Sequence, residues 1–303
     1  MPPKTHIEGF YDTCTQREWE RLDRHRTEFA LTLKALDETL PPAPADVLDI
    51  GGGPGRYAIE LSRRGYSVTL LDLAQANLEM AAAKAAEAGV SLYAALHANA
   101  LDLNAFTDGS FDAVLLMGPL YHLISLEDRI RCVQEAKRVL KPGGLLFAAF
   151  INRYGVFADA AAKYPNDVFE RRELWEGIWR DGVNPPPHDS FTDAYFIMPT
   201  EVLPLMEGQG FSTLDLLGLE GIVSGHEDAV NALQGEAWEY WVKLNYAYAH
   251  DTALHAYSQH LLFVGEKPNL LPHSPRCGSG AQSSRHEKHE MHEKLNSKKQ
   301  TNL

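Results

Sequence analysis

The feature that most constrains this chain is the run Val47-Leu48-Asp49-Ile50-Gly51-Gly52-Gly53-Pro54-Gly55-Arg56-Tyr57. A short apolar stretch of strand character feeds a glycine-rich turn, and the turn feeds a segment of helical pattern. Glycines at alternate positions let the backbone bend tightly and let a ligand approach with no Cβ in the way. A helix opening at Arg56 would offer free N–H groups to an anionic group. A strand that ends this way belongs in an open α/β sheet whose ligand lies beyond the strand ends.

The flanking sequence keeps that rhythm. Residues 56–64 read as a helix closed by Gly65, 67–71 as a strand, and 75–88 as an Ala-rich helix ended by Gly89. Strands follow near 91–96 and 111–117. Ser125, with Asp128 three residues on, resembles a capping box opening a helix with the apolar face Ile130, Val133, Ala136, Val139 and Leu140. Lys141-Pro142-Gly143-Gly144 stops it before a strand at 145–151. Strand–helix alternation with short apolar strands predicts a mostly parallel sheet covered on both faces.

Around this core the pattern changes. Residues 1–44 read as a helical lid that ends in Pro41, Pro42 and Pro44. A sheet domain over 45–268 is interrupted by aromatic-rich cap insertions near 152–198 and 222–257. Residues 269–303 are polar, low in complexity and expected to be disordered. The cap rings, among them Trp175, Trp179, Trp238, Tyr240, Trp241, Tyr246 and Tyr248, either line an acceptor pocket or bury the caps against the core.

Two nucleotide-type ligands suit a glycine turn, and spacing separates them. A dinucleotide fingerprint, G-x-G-x-x-G, started at Gly51 meets Arg56 at its third glycine; started at Gly53 it meets Ala58. The pattern that fits is Asp-x-Gly-x-Gly-x-Gly, at Asp49, Gly51, Gly53 and Gly55. An acid about 20 residues on, Asp72, ends the next strand, where it can accept hydrogen bonds from ribose hydroxyls of either ligand.

On these residues the chain resembles the class I (seven-strand) S-adenosylmethionine-dependent methyltransferases, motif by motif over roughly 45–152. The run Phe111 to Leu123, containing Gly118-Pro119-Leu120-Tyr121-His122, and the stretch Arg138 to Gly144 match the same family. The resemblance implies a doubly wound, mostly parallel seven-stranded sheet of Rossmann-like type and S-adenosylmethionine as cofactor. It also implies methyl transfer to a small-molecule acceptor through an O, N or S nucleophile. The cofactor residues it implies are Asp49, Gly51, Gly52, Gly53, Gly55, Asp72, Leu73, Asn99, Ala100 and Met117, with Tyr11 closing over them from the leading helix. Asn99 stands where the family commonly has an acid toward the adenine amine; its amide carbonyl can still accept that bond. His122 is the candidate base, since an unperturbed imidazole titrates near pH 6.5, and Tyr121 is its neighbour at the site. His188, His226 and Tyr195 are weaker candidates in the caps. The family's nucleic-acid-amine enzymes often carry Asn/Asp-Pro-Pro-Tyr where this chain begins with Gly118. An alternative reading is a protein or RNA methyltransferase, and another is a cofactor-binding regulator without transfer activity.

Charge narrows the partners. With 28 basic and 41 acidic residues the net charge is −13, a surface that repels phosphate backbones, so nucleic acid is not an expected partner. The cysteines Cys14, Cys132 and Cys277 lie far apart and form no thiolate metal motif, so no metal is expected. The sequence has neither an apolar run of membrane-spanning length nor a signal-type N-terminus, so a cytoplasmic protein away from membranes is expected.

Overall fold

Val47, Leu48 and Ile50 are completely buried, so the first strand is covered on both faces, and the surrounding architecture supplies that cover. The computed structural model describes residues 6–186 and 191–269. Three helices lead: α1 (His6–Trp19), broken at Cys14, α2 (Arg21–Arg24) and α3 (Arg26–Thr39). Strands and helices then alternate as β1 (Asp46–Ile50), α4 (Arg56–Arg63), β2 (Ser67–Asp72), α5 (Gln75–Glu87), β3 (Ala94–His97), β4 (Phe111–Leu116), α6 (Leu126–Val139) and β5 (Leu140–Ile151). Next come α7 (Arg153–Lys163), α8 (Pro165–Glu170), α9 (Arg172–Asp181), a small hairpin of β6 (Val183–Asn184) and β7 (Ala194–Tyr195), and α10 (Pro199–Gly208). The order closes with β8 (Ser212–Gly218), α11 (Glu227–Asn231), α12 (Gly235–Tyr248), α13 (Thr252–His255) and β9 (His260–Glu266).

The main sheet has seven strands in the order β3-β2-β1-β4-β5-β9-β8. All neighbours are parallel except β9, which runs antiparallel to both β5 and β8. One face carries α6 and α10 through Val133, Ala136, Val202 and Met206. The other carries α3, α4, α5 and α12 through Leu36, Leu61, Ala81 and Tyr246. This is the doubly wound seven-stranded sheet expected from the sequence. The order reverses between β1 and β4, which opens a crevice beyond their carboxyl ends.

Local differences from the sequence reading have identifiable causes. The fifth strand begins at Leu140 rather than after the glycines: residues 141–144 form an irregularity within it, and pairing with β4 shifts register between Phe111 and Ala113. The Ser125 hydroxyl caps α6 by accepting from the Glu127 N–H, one residue nearer than the expected box. The 152–198 segment builds a satellite core from Ala160, Trp175, Ile178, Ala194 and Phe196. The expected disordered tail, apart from residue 269, lies outside the described residues, as do His188 and Cys277. Among the described residues no helix is long and apolar enough to cross a membrane.

Phe147 lies fully buried at the centre of the sheet, paired with Leu115 of β4 and Val264 of β9. Phe147→Ala is expected to cost about 3–5 kcal/mol through lost burial and the cavity left behind. Urea unfolding measures this; a loss under about 1 kcal/mol would mean that the site collapses to fill the gap.

Candidate active site

A cavity of about 290 Å³ opens at the reversal between β1 and β4. Its wall brings together Tyr11, Asp49, Gly51, Gly52, Gly53, Asp72, Leu73, Asn99, Ala100, Met117, Tyr121 and His122. Of the implied cofactor residues and the pair Tyr121 and His122, only Gly55 is not on this wall. It precedes α4 with φ +81°, facing Ala81 and Leu70. Glu18, Arg21, Asn77 and Pro119 line the cavity as well. Glu18 and Arg21 lack a sequence signal because they sit among many other charges in a leading helical segment.

The glycine turn is held by the protein itself. The Gly51 and Gly52 N–H groups both point to the Leu71 carbonyl, at 2.7 and 3.4 Å. The Gly53 N–H donates to Asp72 Oδ2 at 2.8 Å, and the Gly55 N–H to the Gly52 carbonyl at 3.0 Å. These four turn N–H groups are therefore committed within the protein. A pyrophosphate, which binds through such groups, finds few of them here. Gly118 has its own steric reason: a Cβ there would stand 2.7 Å from the Gly51 carbonyl oxygen. Its small size reflects the approach of two loops at the crevice.

The two acids differ. Asp72 Oδ1 accepts from the Ala74 N–H at 2.8 Å and from Asn77 Nδ2 at 3.1 Å. With Gly53 that makes three bonds, so a carboxylate with about four lone-pair sites keeps capacity for a ligand hydroxyl. Burial still raises its pKa against the pull of those bonds. Asp49 is 1% exposed; the Ala58 N–H at the start of α4 faces it and eases its charge only in part. Burial, reinforced by the Asp72 charge, lifts its pKa to about 7. The neighbouring cations are engaged elsewhere: Arg21 holds Glu28 through two bonds at 2.7 and 2.8 Å, and Arg56 bonds the Trp19 carbonyl and Asp23. The cavity's unbalanced charge is negative, so it favours a ligand with cationic character.

The far wall comes from the loop after β4. His122 Nδ1 lies 2.9 Å from the Asp193 carbonyl, which can only accept, so Nδ1 carries the proton. Nε2 then accepts from the Tyr11 hydroxyl, 2.7 Å away. Burial pushes the imidazole down to about 4, which corrects the expectation of a group titrating near pH 6.5; it is neutral at pH 7. Burial raises the Tyr121 phenol pKa, and its hydroxyl donates to the Met117 carbonyl at 3.1 Å. Asn99 is exposed, and its Oδ1 accepts from the Leu101 N–H, leaving one carbonyl lone pair. None of the cap rings named above lines this cavity: Trp175 is in the satellite core, and Trp179 and Tyr240 are largely exposed. Tyr195 bonds Glu201 and stacks on Arg129, away from the cavity.

Comparison with known proteins agrees with this layout. Residues 48–148 match a family model described as a methyltransferase domain. An O-methyltransferase of ubiquinone biosynthesis from Chromobacterium violaceum is 30% identical over 194 residues, which cover 62% of this chain and 74% of that protein. Its namesake in Methylobacterium nodulans is 37% identical over 184 residues, 59% of this chain and 65% of that protein. The chain matches about half or less of some other relatives, 49% of the one from Xanthomonas axonopodis pv. citri and 40% of the one from Methylocella silvestris. Among solved structures, a methyltransferase from Methanosarcina mazei superposes with a TM-score of 0.53 at 19% identity, covering 78% of this chain and 97% of that one. One from Thermotoga maritima gives 0.52 at 19% identity, covering 86% and 100%. At these identities the structures speak for the fold.

Asp49 generates a pH prediction. Its folded pKa of about 7 stands above the ordinary 3.8, so between those values the native state binds more protons than the unfolded state. Its share of stability is present below that window and is lost as pH rises through it. Asp49→Asn should therefore show a smaller fall in Tm between about pH 5 and 8 than the wild type by calorimetry. Parallel curves would mean that Asp49 is ionised throughout.

Proposed function

Because the chain belongs to the class I S-adenosylmethionine-dependent methyltransferases, we propose that the crevice cavity binds S-adenosylmethionine and that the chain methylates a small-molecule acceptor. The observation that carries the cofactor reading is Asp49, a buried carboxylate paired with no cation and faced only by the Ala58 N–H, at the wall of a cavity whose turn N–H groups are already used. A zwitterionic sulfonium nucleoside supplies positive charge there; a pyrophosphate would add negative charge. When bound, the cofactor supplies an activated methyl and carries its own leaving group.

The roles follow from position. Asp72 receives a ribose hydroxyl on its remaining lone pair. Leu73, Asn99 and Ala100 border the base, and Gly51, Gly52 and Gly53 border the amino-acid end. Met117, Tyr121 and His122 flank the transferable methyl, and Tyr11 roofs it. The chain's task is then mainly alignment, which can contribute about 7–11 kcal/mol, and exclusion of competing water. His122, neutral and buried, is the acceptor for a proton. The helices of 1–44 form the lid, and the insertions of 152–198 and 222–257 form caps over the domain of 45–268.

Three observations support a small acceptor. The curated relatives are named as O-methyltransferases of ubiquinone biosynthesis. The α1 helix lies over the cavity through Ile7, Tyr11 and Glu18, where a macromolecular acceptor would have to displace it. The net charge of −13 opposes nucleic acid.

Calorimetry with S-adenosylhomocysteine tests the cofactor reading. Binding to the wild type is expected, with no heat from NAD. Asp72→Asn should weaken it about tenfold or more, since a hydrogen bond to a charged group is worth about 1.5–3 kcal/mol. Silence with the nucleoside and a clear response to NAD would overturn the reading.

A further inference from the structure

Among the described residues three acids line the crevice cavity, Asp49, Asp72 and Glu18, and they differ in what they can offer a ligand. Asp49 lies beneath the turn, where no Cβ would fit between Gly52 and its carboxylate, so its charge reaches the cavity as a field rather than a contact. Asp72 has spent three acceptor positions on Gly53, Ala74 and Asn77. Glu18 is more open. Its side chain is 27% exposed, and its ion-pair partner among the described residues is Arg21, whose Nε lies 3.3 Å from Oε1. The two terminal nitrogens of that guanidinium are already held by Glu28, at 2.7 and 2.8 Å. One cation thus serves two carboxylates, and Glu18 is left with acceptor capacity.

The position of Glu18 is set by α1. Ile7, Tyr11 and Glu18 recur at intervals of four and seven, so one stripe of that helix faces the cavity, and Glu18 is its charged member. The helix is fastened at two points. Tyr11 O–H donates to His122 on the loop after β4, and Arg56 at the start of α4 donates to the Trp19 carbonyl at 3.0 Å. Between these points Glu18 lies over the glycine turn: a Cβ on Gly53 would stand 3.7 Å from its Cγ. Tyr11, Glu18 and Arg21 also border a second cavity, of about 730 Å³.

We propose that Glu18 receives the α-ammonium group of the bound sulfonium nucleoside, so that the amino-acid end of the cofactor fastens α1 over the crevice. The proposal rests on the cofactor reading above and adds to it a recognition residue and a coupling between binding and the lid. An ammonium group carries a full charge and three donors. Of the acids in the wall, Glu18 is the one that lies over the turn with room to accept from it. Because α1 buries no side chain, it is held down by polar contacts of this kind. A ligand shifts a lid only by binding the closed form better than the open one. An ammonium between the turn and Glu18 does so, and a nucleoside without an amino-acid end lacks that contact.

The test uses the full chain and three probes in calorimetry. S-adenosylhomocysteine has both amine and carboxylate, its decarboxylated analogue keeps the amine, and 5′-methylthioadenosine has neither. Glu18→Gln should weaken the first two about tenfold or more, the scale of a hydrogen bond between charged groups, and leave the third within about twofold. Trypsin gives a second readout, since Arg17 and Arg24 are exposed beside Glu18. In the wild type, saturating S-adenosylhomocysteine should slow cleavage there about threefold or more beyond saturating 5′-methylthioadenosine, because cleavage follows the open population. In Glu18→Gln that difference should vanish. An equal loss of affinity for all three probes would show that Glu18 only shapes the cavity, and a loss that spares the decarboxylated analogue would assign Glu18 to the carboxylate end; either overturns the ammonium contact. Affinity for S-adenosylhomocysteine unchanged in Glu18→Gln, or equal protection of the wild type by both nucleosides, would overturn it as well. Absence of binding of every probe to the wild type would instead overturn the underlying cofactor reading.

Discussion

The carboxylate of Asp72 is the interaction on which the crevice depends. It ends β2, takes the Gly53 N–H from the turn after β1, and takes Ala74 N–H and Asn77 from the start of α5. The Leu71 carbonyl, one residue earlier, takes the Gly51 and Gly52 N–H groups. The turn is thus hung on the end of the neighbouring strand. Parallel pairing makes this possible, because Ile50 and Leu71 are register partners and both strands end at the same level. Bonds to an ionised acceptor are the stronger kind, and here they offset part of the desolvation that burial imposes on Asp72.

With the turn satisfied internally, the ligand's recognition shifts from N–H groups to carboxylates. The remaining lone pair on Asp72 and the charge of Asp49, paired with no cation, set the polarity of the cavity. The same glycine-rich topology that elsewhere receives a pyrophosphate therefore presents acceptors and negative charge. Fold alone would not have distinguished the two ligands; the destination of four backbone N–H groups does.

Legibility in the sequence followed the range of the interactions. The strand, turn and helix from Val47 to Tyr57 and the acid at Asp72 could be read because each is specified by neighbours within a few residues. The crevice loop could be found by motif, but the reason for Gly118 could not, since it is the Gly51 carbonyl across the sheet. Glu18, Arg21 and Asn77 were missed for the same reason: their cavity position depends on packing between elements far apart in the chain. The cap aromatics left two readings open, and for Trp175 tertiary packing selects burial. Trp175 stands out in composition, yet it is spent on a local core that lets α7 and α9 pack. His122 was found, but its protonation was not, because burial and a contact with Tyr11, 111 residues away, decide it.

Within the lid, α3 packs Leu31 and Leu36 into the core, whereas α1 is held by polar contacts. α1 has no buried residue and is held by contacts such as Tyr11 to His122 and the Ala76 N–H to Asp12. Because β9 runs against β5, its first residue, His260, pairs with the last residue of β5, Ile151, at the crevice end. There His260 bonds Glu220 at 2.6 Å and lies 3.7 Å from Glu28, which in turn grips Arg21 in the cavity wall. The trio Glu28, Glu220 and His260 has ligand atoms close enough for a metal ion, but its charge is already met. The two carboxylates raise His260 to about 9, and Arg21 and His260 hold Glu28 down at about 2, both against burial. Two acids face two cations, so a dication would have to displace Arg21 or deprotonate His260. Their strength lies in mutual pairing: removal of either partner would strand a buried charge. That network keeps Arg21 at the boundary of the two cavities, while α1 beside it, with nothing buried, is the element most readily opened.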